Sequence, residues 1–137
     1  MRLFLFFILI LLGCSCKSEK KSNEAMDIVE PKRAELSFDS QIFLGNRLFS
    51  EKTCITCHDV NRVKKAPSVK EIMAVYKEKN GDIVAFLKGN AQPIVDTTAT
   101  QVAIMQKNID GFLKKITDEE LNSLSIYMLH IDKLYPE

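Results

Sequence analysis

Cys54-Ile55-Thr56-Cys57-His58 constrains this chain more than any other stretch. C-x-x-C-H is the spacing for covalent attachment of a c-type haem. Two thiols three positions apart can each add to one vinyl group of a single haem, and the adjacent histidine then comes to lie under the iron. A haem held by its own thioethers does not dissociate, which suits work outside the cytoplasm. Taken alone, the pentapeptide leaves a thiol redox pair, half a zinc site or chance open. A zinc site asks for about four ligands, and outside the motif only Cys14, Cys16 and His130 remain among cysteine and histidine. A thioredoxin-like pair belongs beside a βαβ pattern, and the chain shows none.

The N-terminus reads as a targeting segment. Met1-Arg2 precedes an unbroken apolar run from Leu3 to Leu12, followed by Gly13-Cys14. One positive charge, a short apolar stretch and a small residue describe an export signal, and the run is too short for a permanent spanning helix. Leu11-Leu12-Gly13-Cys14 resembles the lipobox of bacterial lipoproteins, in which the cysteine becomes the lipid-bearing N-terminus. Ordinary signal cleavage that discards Cys14 is the alternative. From Ser15 to Glu35 the chain is rich in Lys, Glu and Ser with few large apolar groups. Such a stretch buries too little to order itself and reads as a tether. We therefore divide the chain into a signal peptide at 1–13, a flexible tether at 14–36 and a folded domain at 37–134. Removing residues 1–13 takes away Arg2 and no acid, leaving 18 basic and 18 acidic residues. A near-neutral chain offers no electrostatic case for nucleic acid.

Apolar spacing in the folded part is helical throughout. A first helix is expected from Asp39 to about Ser50, capped by Ser37 or Asp39. Pro67 excludes helix just before it, and Ser68 caps a second one running to about Lys79, with Ile72, Met73 and Tyr76 on one face. Asp82 caps a third that ends at Gly89-Asn90. An irregular loop with Pro93 follows, and a short helix is expected near Thr98. Thr117-Asp118-Glu119-Glu120 is a capping box. It opens a last helix with Leu121, Leu124, Tyr127, Met128 and Ile131 as its apolar stripe. The result is an all-α domain of about one hundred residues, small for an apolar core of its own. A bound haem would complete that core.

Taken together these residues resemble the class I cytochromes c, in particular the short bacterial monohaem members. Gly45, with Phe49 four residues on, matches the family's N-terminal helix, and Leu124 with Tyr127 matches its C-terminal helix. In the family these two helices cross with the glycine at the contact, where the lack of a side chain lets backbones approach. Ala66-Pro67 lies where short members carry Gly-Pro, with Pro67 nine residues after His58. The resemblance implies that the Pro67 carbonyl accepts a hydrogen bond from the proximal histidine ring, the kind of contact that orients a ligand and raises its basicity. Ala66 in place of glycine is a minor departure. The implied architecture is a cytochrome c fold of about four to five helices around one covalent haem c, attached at Cys54 and Cys57.

His58 supplies one axial ligand, and the other decides between carrier and reactive centre. Met1 and Met26 lie in the signal and tether, whereas Met73 and Met128 read as core. Met105 follows the irregular loop, 47 positions after His58. The family places its methionine ligand in that region, although no proline follows Met105. His130, near the end of the last helix, reads as a surface residue. A His58/Met105 pair gives a closed iron suited to one-electron transfer. The expected function is a periplasmic electron carrier, not an enzyme, lipid-anchored to a bacterial membrane through Cys14. Its partners would be redox proteins: a quinol-oxidising complex, other cytochromes, and a terminal oxidase or reductase. Lys64-Lys65, just after the motif, could steer acidic partners or be a plain solvated pair. Two alternatives stand beside this reading. One is a haem enzyme or gas-binding sensor with an open sixth site. The other is a haem-free lipoprotein scaffold in which the two motif cysteines form a disulfide.

Overall fold

The computed structural model describes residues 34–136. The expectations for the signal peptide, for lipidation at Cys14 and for the tether as far as residue 33 lie outside the described residues. Within them the chain is all-α, with six helices: α1 (Phe38–Glu51), α2 (Val69–Glu78), α3 (Ile83–Leu87), α4 (Ala99–Asp110), α5 (Asp118–Leu129) and α6 (Ile131–Leu134). Two single 3₁₀ turns, Cys54–Thr56 and Leu113–Lys115, complete the set. The sixth helix exceeds expectation because the last apolar stripe breaks at His130. That residue ends α5, and Ile131 begins α6.

Local signals explain most boundaries. The Ser37 hydroxyl accepts from the Ser40 amide and opens α1, with Asp39 in its first turn favoured by the helix dipole. Ser68 and Glu71 form a full capping box at α2, as Thr117 and Glu120 do at α5. The Asp82 carboxylate accepts from the Ala85 amide at 2.9 Å to start α3. Gly89, at φ +76°, closes it in the left-handed conformation.

The most extensive helix contact is between α1 and α5. Gly45 lies at its centre. A Cβ built there would stand 2.2 Å from the Ser123 carbonyl oxygen and 2.6 Å from Tyr127 Cβ, so only glycine admits this approach. Leu48 and Phe49 of α1 pack there with Leu124 and Tyr127 of α5, and the Phe49 and Tyr127 rings lie 5.8 Å apart. Met73 and Met128 are both buried in the same core. His130 is half-buried rather than a free surface residue. Its Nδ1–H donates to the Ile126 carbonyl at 2.9 Å, and its ring meets Phe38 edge-on at 4.9 Å.

Candidate functional site

The motif sits on a loop whose main chain is bonded to itself at every turn. Thr53 takes a left-handed φ of 61°, which starts the 3₁₀ turn carrying Cys54. The His58 amide closes that turn onto the Cys54 carbonyl at 2.9 Å. Downstream, the Ala66 amide donates to the Cys57 carbonyl at 3.2 Å and the Val69 amide to the Asp59 carbonyl at 2.9 Å. Pro67 is clamped between these two bonds. Its carbonyl accepts from His58 Nδ1 at 2.8 Å. A carbonyl can only accept, so Nδ1 carries the proton, and in the neutral ring Nε2 is the nitrogen with the lone pair. The ring is thereby fixed in the tautomer that a metal centre requires.

Asp59 and Lys64 brace the same loop. The Asn61 backbone N–H, then the Lys64 ammonium, hold the Asp59 carboxyl below the usual carboxylate range. Lys64 Nζ pairs with Asp59 at 3.2 Å, so its charge already has a partner. Cys54 and Cys57 are both free thiols. Burial, partly offset by a backbone hydrogen bond, pushes the Cys54 thiol up to about 11.

Cys54, Cys57, His58 and Pro67 all border one cavity of about 360 Å³, within the size range of cofactor pockets. Its walls are mostly apolar. Phe49, Leu124 and Met128 come from the α1–α5 core, and Ile72, Tyr76 and Leu87 from α2 and α3. Exposed Lys65 and Gln92 also border it, so the cavity reaches the surface. Natural interiors leave few voids larger than a water molecule, so a space this size is shaped for a large apolar guest. Two thiols and a bare imidazole nitrogen at its edge fit a haem. They do not fit a bare metal ion: among the described residues no group of three or more His, Cys, Asp or Glu side chains is placed to hold one.

Met105 borders the cavity as well. It lies within α4, whose twelve residues exceed the short helix expected near Thr98. Two residues that sequence reasoning missed act beside it. Asn108 Nδ2 lies 3.9 Å from the Met105 sulfur, and Gln101 Nε2 donates to the Lys65 carbonyl at 2.9 Å, tying α4 to the motif loop. The i, i+3 spacing of Met105 and Asn108 was the only available signal.

The family model for cytochrome c matches residues 43–132. The chain belongs to the cytochrome c family. The match spans both α1 from Phe43 and the whole of α5, together with the motif between them. No curated protein matches the chain. As a family member this cytochrome c is a haem-binding electron-transfer protein, and the family implies a covalent haem c at the Cys54–Cys57 region.

Proposed function

We propose that this cytochrome c carries one haem, thioether-linked to Cys54 and Cys57 and held axially by His58 and Met105, and works as a membrane-tethered periplasmic one-electron carrier. Haem supplies the one-electron redox chemistry when bound. The observation that carries the reading is the 2.8 Å bond from His58 Nδ1 to the Pro67 carbonyl, on the wall of a cavity that Met105 also borders. This bond orients the imidazole so that Nε2 is the nitrogen left to bind iron. The apolar wall excludes water and, together with a neutral thioether as second ligand, favours the ferrous state. A site closed by two side chains has no place for a substrate, which suits a carrier. The Cys14 lipid would hold the domain near its membrane partners and raise their effective concentration. Those partners are a quinol-oxidising complex or another cytochrome on one side and a terminal oxidase or reductase on the other.

The test is ligand substitution in protein exported from cells competent for haem attachment. Met105→Ala should keep the haem, lose the sulfur-to-ferric charge-transfer band and bind carbon monoxide rapidly when reduced. His58→Ala, or loss of either motif thiol, should impair holoprotein formation. Rapid carbon monoxide binding by the unaltered protein would instead establish the open-site alternative. The anchor is read separately, from the mass of the mature N-terminal peptide.

A further inference from the structure

One face of the domain takes no part in the haem cavity and is apolar beyond need. Phe43 is 71% exposed, Phe38 52%, Leu134 40% and Tyr135 38%. They are contiguous. Ile42, Phe43, Leu134 and Tyr135 line one shallow groove between α1 and the C-terminal segment. Phe38 stands one helical turn before Ile42 and lies on His130, the residue from which α6 starts. Four large apolar side chains gathered in one place differ from the scattered exposed residues of an ordinary surface. Of the other exposed large apolar residues, Ile55 and Val63 belong to the motif loop, Ile104 to α4 and Leu129 to the end of α5.

What covers this patch is indicated by where the rest of the chain attaches. Residues 34–37 lead straight into Phe38, the first residue of α1 and itself part of the patch. The tether expected from the sequence, about 20 residues back to Cys14, would reach roughly 25 Å root-mean-square if it behaves as a coil. An acyl-bearing Cys14 would then hold the root of the tether, where this face begins, within that reach of the bilayer. Aromatic rings mixed with aliphatic side chains are the composition that settles at a membrane interface.

Resting on the lipid-anchor reading above, we propose that the Phe38–Phe43–Leu134–Tyr135 patch docks on the surface of the bilayer that holds the Cys14 lipid and so orients the domain. Asp39 borders the groove, and its carboxylate limits how deep α1 can settle, because a charge stays at headgroup level. Lys133, exposed beside Leu134, meets anionic headgroups at the same level. The fourteen residues of α1 set the motif loop about 20 Å along the helix from Phe38. The haem loop then stays clear of lipid and available to redox partners, while the tether supplies proximity and the patch supplies orientation.

The test uses the mature, full-length holoprotein in phosphatidylethanolamine–phosphatidylglycerol vesicles containing a phospholipid with a diazirine near the glycerol. After illumination, label is mapped by peptide mass. Label on peptides holding Phe38–Phe43 and Leu134–Tyr135, about fivefold or more above peptides holding Val63 and Ile104, is the expected result. A Phe43→Gln/Leu134→Gln variant, changed only at exposed positions, should keep its haem spectrum and lose most of that label. Label confined to the N-terminal peptide, or centred on Val63 and Ile104, overturns the proposal. So does a patch occupied by a second copy, seen as a cross-linked dimer on vesicles. The intact mass, taken before illumination, isolates the anchor: a mature N-terminus without acyl chains ends the proposal at its premise, whatever the label shows.

Discussion

Helices α1 and α4 are nearly equal in length, fourteen and twelve residues, yet α1 buries Gly45, Leu48 and Phe49 whereas α4 buries Ile109 alone. The first is held by protein. Its glycine lets α5 approach to backbone contact, and its apolar side chains close that seam. The second is a wall. Val102, Met105 and Ile109 border the cavity, and of the three only Ile109 is fully buried by protein. In a domain this small the chain cannot bury every helix against another. The α1–α5 pair forms the closest seam of the core, α2 and α3 add Val69, Met73, Ile83 and Leu87 to it, and α4 contributes least.

That contrast can be broken or sharpened by substitution. The largest effect is expected at the seam. Gly45→Val places atoms where the Ser123 carbonyl already stands, and overpacking against main chain should cost about 3 kcal/mol or more by chemical denaturation of the holoprotein. Next, Leu48→Ala removes a side chain that is only 1% exposed and should cost about 2–5 kcal/mol. Lys107→Ala on α4, exposed and away from the cavity lining, should stay within about 0.5 kcal/mol. Equal costs at the two positions would refute the division into seam and wall. Smaller again is the difference between caps. The Thr117 side chain accepts from the Glu120 amide, whereas Thr98 makes no capping bond. Thr117→Ala should cost about 1 kcal/mol and Thr98→Ala almost nothing.

The smallest effect is on acid stability. The Thr117 backbone N–H, which Glu120 caps in return, holds the Glu120 carboxyl below its ordinary range. A depressed folded pKa contributes stability that is fully present above the unfolded value, about 4.3, and is lost as pH falls through the lower folded value. Glu120→Gln should flatten that part of a stability–pH curve, leaving the same dependence from Glu71 at α2, whose carboxyl is depressed by Ser68.

The same division explains what could be read in the sequence. The α1–α5 pair declares itself because its signals are local or periodic: Ser37, the capping box at Thr117 and the stripe from Leu121 to Tyr127. The proximal side of the site was readable for a similar reason, since the motif and Pro67 lie within one short loop. The extent of α4 was not. No side chain caps its start, whereas α5 opens on a capping box. Asn108 and Gln101 were missed because each acts through a contact that exists only once α4 lies against the motif loop. The exposed patch at Phe38 and Phe43 was hidden within the apolar count of α1. Spacing shows that a helix has apolar positions, but not that some of them go uncovered.

The bond from His58 to Pro67 is made to a main-chain oxygen. No side-chain replacement at Ala66 deletes that acceptor, whereas Ser68 is held by its own capping box with Glu71. What the bond depends on is loop length: inserting or deleting one residue between the two positions would carry the oxygen out of reach. The heritable quantity here is a count of residues, and an accident of composition can be forgiven where a frameshift of spacing cannot.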